Sequence, residues 1–183
     1  MGVTAVAAGQ KITAALLNSL PVSIPLVTGS VASSAAETVI GTFTIPANDP
    51  AAVAGSGFRF AVYGTADDTA TPTLTLRLRF NTTGGTQIFS SIAALTCRAT
   101  VTNMPWFYDG WIDFSSGGAG ASCATQGQLN ETLVSTTPAN HANAHGPDTV
   151  DVTVQWSLVV TAQWSASSAS NICRTLSGSL IRM

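Results

Sequence analysis

Residues 150–164 read VDVTVQWSLVVTAQW, and every even position from Val150 to Trp164 is apolar. The intervening positions are Asp151, Thr153, Gln155, Ser157, Thr161 and Gln163, with Val159 the single apolar exception. Side chains of a strand alternate between its two faces, so this period of two predicts a β-strand with one face in a core and the other toward solvent. The run is far longer than a usual strand of about 5–6 residues. It must therefore bend, carry a bulge or pass from one sheet to another.

The same alternation recurs elsewhere. In TPTLTLRLRFNTTGG, Leu74, Leu76, Leu78 and Phe80 share one face, Thr73, Thr75, Arg77 and Arg79 the other, ahead of a turn at Gly84-Gly85. GFRFAVYG alternates through Phe58, Phe60 and Val62. ETVIGTFTIPAND, ALTCRATV, WFYDGWIDF, QGQLNETLV and CRTLSGSLIRM read as further short strands between Gly, Pro, Asn and Asp clusters, giving about nine in all. Many short strands separated by turns predict an all-β, antiparallel, jelly-roll-like β-sandwich. No internal repeat and no charged or Pro-rich linker divides the chain.

The exception is the start, GQKITAALLNSLP. Thr13 is placed to cap a short helix, Ile12, Leu16 and Leu20 fall on one face, and Pro21 disfavours helix at the residue before it. A helix of about two turns is marginal alone in water and must dock on something. Residues 1–23 are accordingly read as a docking segment and 24–183 as the β-domain, with Ile12, Leu16, Leu17 and Leu20 as the docking or oligomer interface.

Composition restricts the partners. Of 183 residues only 9% are charged, against roughly 25% in an ordinary soluble domain. Lys11 is the only lysine and the net charge is −2. Six scattered arginines make no basic stripe, so neither nucleic acid nor an anionic membrane is an expected partner. Charge is depleted at the cores of protein interfaces, so a surface this neutral is better suited to contact with other copies or other proteins. The opening residues lack the basic n-region of a signal peptide, and no stretch approaches the length of a membrane span. Cys97, Cys123 and Cys173 are odd in number and form no CxxC, which predicts free, partly buried thiols rather than a disulfide framework or zinc site.

Little in the chain has the pattern of catalysis. HANAHGPD carries His141 and His145 at the H-x3-H spacing, with Asp148 as a third ligand candidate, but the metalloprotease form needs a Glu where Ala142 stands. The flanking PAN and GPD predict a loop, which would not hold both imidazoles on one face, so no metal and no cofactor is expected. Asp109 and Asp113 share one face of an extended WFYDGWIDF, roughly 13 Å apart at about 3.3 Å per residue, too far for a glycosidase pair. A non-enzymatic protein is expected. In MPWFYDGWIDF the rings of Trp106, Tyr108 and Trp111 are candidates for contact with a glycan or a neighbouring subunit, since aromatic residues dominate interface energetics.

Two motifs carry a resemblance. Ala8-Gly9-Gln10-x-Ile12-Thr13-Ala14-x-x-Leu17-Asn18 resembles the N-terminal segments of small virion proteins of tailed bacteriophages, particularly those of actinobacteria. Val154-Gln155-Trp156, with WSASSASN leading through Asn171 to LIRM, is similar to the end of jelly-roll modules in phage head and tail appendages. Together they cover roughly the first twenty and last thirty-five residues. The resemblance implies a virion-located homotrimer fixed by its N-terminal segment to the major capsid protein, as a decoration or head protein, or to tail and baseplate proteins, as a minor tail protein. The alternative function is a host-surface glycan-binding receptor-recognition module of a tail fibre, acting through the aromatic strand.

Overall fold

A computed structural model describes residues 22–90, 94–100, 102–135 and 137–183. The N-terminal helix expected over residues 1–20, with Ile12, Leu16, Leu17 and Leu20, lies outside the described residues. Those that are described form strands and turns, with no helix among them.

The strands are β1 (Ser23–Pro25), β2 (Val27–Thr28), β3 (Ser30–Ala32), β4 (Thr38–Ile45), β5 (Gly57–Asp67), β6 (Thr73–Phe80), β7 (Gln87–Ser90), β8 (Leu95–Thr96), β9 (Met104–Phe114), β10 (Ala121–Glu131), β11 (Ala139–Val150), β12 (Trp156–Trp164) and β13 (Ile172–Arg182). They build two antiparallel sheets. The large sheet runs β1-β13-β5-β9-β10-β11, with β3 also on β13; the small sheet runs β2-β4-β12-β6-β7, with β8 on β6. The chain crosses repeatedly between them, in the manner of a jelly roll, apart from the runs β6-β7-β8 within the small sheet and β9-β10-β11 within the large one. Among the described residues the first strand begins at Ser23, which pairs with Ile181.

The long alternating run at 150–164 is two strands, resolved by passage from one sheet to the other. Val150 ends β11 in the large sheet and Trp156 begins β12 in the small one. Between them Asp151 Oδ1 accepts hydrogen bonds from the Thr153 amide at 2.9 Å and the Thr153 hydroxyl at 2.6 Å, an Asx turn that reverses the chain. Val150 and Val152 are buried, whereas Val154, within the crossing, is 54% exposed. The period of two is thus broken where no sheet holds the backbone.

Trp156 re-enters the core at once and is 1% exposed, while Gln155 is exposed. Its indole meets Phe58 and Phe114 of the large sheet edge-on at 5.9 and 6.2 Å, and Phe80 of its own sheet at 5.6 Å. Leu74, Leu76 and Leu78 of β6 are fully buried, as the alternation requires. Tyr108 of β9 donates its hydroxyl to the Leu76 carbonyl at 2.9 Å, a polar tie between the sheets.

Charged side chains close the margins. Arg182 of β13 grips the buried Asp49 with Nε and Nη2, at 2.9 and 2.6 Å for the nearest oxygens. On the outer face of the small sheet, Glu37 accepts from Arg79 Nε at 2.6 Å, Arg77 Nη1 at 3.2 Å and the Thr161 hydroxyl at 2.5 Å, covering the central strand β12. Burial alone would raise the Glu37 carboxyl. The Arg79 and Thr161 hydrogen bonds and the charges of Arg77 and Arg79 outweigh it and hold the group below its ordinary 4.5.

Two outcomes follow for stability. Trp156→Ala should cost about 3–5 kcal/mol in urea unfolding, whereas Gln155→Ala should stay within about 0.5 kcal/mol. Because the Glu37 pKa is lowered in the fold, its contribution is present above the unfolded value of 4.5 and disappears as pH falls through the folded one. Glu37→Gln should therefore be less stable than the parent at neutral pH, with the gap closing below about pH 4.5 in a pH series of unfolding midpoints.

Candidate functional site

The described site grows from two glycines. Gly110 in the middle of β9 lies directly opposite Gly127 in the middle of β10. A Cβ on Gly110 would stand 2.7 Å from the tip of the Phe60 ring and 2.3 Å from the Gln126 carbonyl oxygen; one on Gly127 would stand 3.2 Å from Phe60 and 2.6 Å from the Asp109 carbonyl oxygen. The core ring and the close strand backbones take the space, which is why glycine sits in mid-strand here.

The residues flanking each glycine point the other way, out of the large sheet. Trp111 lies opposite Gln126 and Asp109 opposite Gln128. On β11 the next positions in these two rows are Ala144 and Ala142. Both are exposed, and their small side chains leave the surface low beside Trp111 and the amides. A concavity of about 480 Å³ results, lined by Asp109, Trp111, Gln126, Gln128, Ala142 and Ala144 among others. Asn140 donates its Nδ2 to Gln128 Oε1 at 2.5 Å and to Asn130 Oδ1 at 3.1 Å, fixing the Gln128 amide so that its own Nε2 remains a donor. Asp109 Oδ1 is screened from solvent and receives no hydrogen bond from the described residues.

The three rings named from the sequence divide between faces. Trp106 and Tyr108 are 2% and 0% exposed, facing the core, where they meet each other edge-on at 6.0 Å. They cannot contact a ligand or a neighbouring subunit, because even positions of β9 point inward. Trp111 is 41% exposed. Further along the outer face Tyr63 of β5 and Phe107 of β9 stack on one another at 4.3 Å.

HANAHGPD is a strand and not the expected loop. His141 and His145 both lie in β11, opposite the buried Leu129 and Thr125 of β10. They share the inward side of this edge strand but are about 13 Å apart at four residues. Each has its own carboxylate: His141 Nε2 is 3.2 Å from Glu131 Oε1, and His145 Nδ1 is 2.7 Å from Asp148 Oδ2. Glu131 Oε2 also accepts from the backbone amides of Leu133 and Val134, so it ties down the turn after β10. Among the described residues no group of three or more His, Cys, Asp or Glu side chains is placed to hold a metal ion.

The cysteines are free, and all three are fully buried rather than partly so. Burial pushes Cys97 up to about 12, with Asp68 and Glu131 adding to it, and Cys123 up to about 12, with Asp148 adding; burial likewise raises Cys173. A thiolate is the nucleophilic form. The native protein should therefore resist Ellman's reagent at pH 8, and three thiols should appear only on unfolding.

Sequence reading missed Gln126 and Gln128 and weighed Asp109 only as an acid. The signal was present as two triplets, Asp109-Gly110-Trp111 and Gln126-Gly127-Gln128, each a glycine inside an alternating strand.

No known protein family and no curated protein matches the chain. Among solved structures, one of infectious bursal disease virus Gx strain matches over 89% of this chain and 32% of its own, at 10% identity and a TM-score of 0.34. The CBM2 module of the evolved Dit of Lactobacillus casei BL23 phage J-1 matches over 86% of this chain and 74% of its own, at 13% identity and a TM-score of 0.34. The chain thus spans about a third of the first of these. At this distance neither match assigns a function.

Proposed function

We propose that the chain is a non-enzymatic structural protein of a tailed-phage virion, assembled as a homotrimer and held through residues 1–20 to the capsid surface or to the tail and baseplate. The observation that supports this most directly is where the few charges go. Arg77, Arg79 and Glu37, Arg174 and Asp67, and Arg182 and Asp49 are joined in ion pairs, and Glu131 and Asp148 hold histidines. Arg59, Asp113 and Asp151 are the exposed exceptions among the described charged side chains. Among the described residues most of what remains outside is neutral, with apolar groups such as Val27, Leu176 and Tyr63 each about half or more exposed. Such a surface suits burial against neighbours.

The N-terminal motif supplies the attachment in this reading. Leu16, Leu17 and Leu20 would each contribute on the order of 1.5–3 kcal/mol when fully covered by a partner or around a three-fold axis. Full-length protein should then scatter light as a trimer and bind virions stripped of it. Deleting residues 1–20 should leave a soluble β-sandwich that no longer attaches. A strictly monomeric full-length chain removes the trimer, and a truncated domain that still decorates particles removes the docking role.

A further inference from the structure

We infer that the outer face of the large sheet binds a neutral glycan in the groove around the Gly110–Gly127 pair, with Trp111 as stacking platform and Asp109, Gln126 and Gln128 as hydrogen-bonding partners. This goes beyond the virion reading and stands or falls separately from it.

A sugar ring has an apolar face of C–H groups and a rim of hydroxyls, each both donor and acceptor. The groove offers the complement of both. Trp111 is the exposed member of four tryptophans, the other three being buried in the core, and presents its indole at the groove. An aromatic surface held on a strand stacks an apolar face at little entropic cost. Across one strand spacing, about 4.8 Å, stand two amides able to donate and accept. Beside Trp111 on its own strand is the Asp109 carboxylate, an acceptor that lines the groove. Ala142 and Ala144 keep the third strand low enough for a ring to lie flat.

Charge narrows the class. Asp109 is the charged side chain lining the groove, and the exposed Arg59 of β5 lies opposite Trp111 on its far side. An anionic glycan would meet a carboxylate there, whereas a neutral one meets only dipoles and an acceptor.

The test uses the full chain. Native-gel retardation and tryptophan emission are followed against a soluble glucan, galactan, mannan and arabinan, with polygalacturonate as the anionic comparison. At least one neutral polymer should retard the protein and shift its emission, since Trp111 is the indole within reach of solvent. Trp111→Ala should weaken binding by about tenfold or more with an unchanged circular dichroism spectrum. Ala144→Phe, which fills the groove and leaves Trp111 in place, should do the same, so the result does not hang on one variant. Failure of all four neutral polymers, binding of polygalacturonate alone, or full affinity in both variants overturns the assignment.

Discussion

The packing of Trp156 against rings from both sheets is the contact on which the sandwich depends. The chain leaves the large sheet at Val150 and enters the small one at Trp156, so the first residue after the crossing is also the one that joins the two layers. Phe58, Phe80 and Phe114 meet its indole from three strands, at geometry favourable to ring quadrupoles. With that ring seated, β12 lies between β4 and β6, and the register of the small sheet follows.

Electrostatics then reinforce what packing has arranged. Arg182 and Asp49 pin the last strand to the loop following β4, and the Glu37 cluster covers Thr161 and its neighbours on the outside of β12. Each pair is substantially shielded from water, so removing one partner would strand a charge rather than merely lose an attraction. The low charge of the composition and the neutral exterior are two views of one arrangement.

How far the sequence disclosed this depended on which face each residue occupied. The strands β5, β6 and β12 were legible because one face is core, and burial imposes strict alternation on sequence. A break in the run at 150–164 was foreseeable from its length, but length did not say whether it would be a bend, a bulge or a passage between sheets. β11 was not legible: Ala139–His145 has no β-branched or aromatic residue, and its strand form comes from pairing with β10 at an edge, where the sequence need not advertise it. Trp106 and Tyr108 were misplaced for a related reason, since a ring on each face of β9 does not say which face is inside. The groove needed the register of β9 against β10, since only pairing places Trp111 opposite Gln126 and Asp109 opposite Gln128. The docking helix expected over residues 1–20 lies outside the described residues.

The glycine pair also separates two kinds of change. Gly110 and Gly127 are locked to the interior, because any added carbon meets the Phe60 ring or a strand backbone. The side chains on either side of them point outward and share no such restriction. The four outward positions can therefore be exchanged for others without disturbing the core, while the two central ones cannot. A lineage of such chains could diverge widely in what its outer face presents and still keep the same close antiparallel pairing of two bare backbones beneath it.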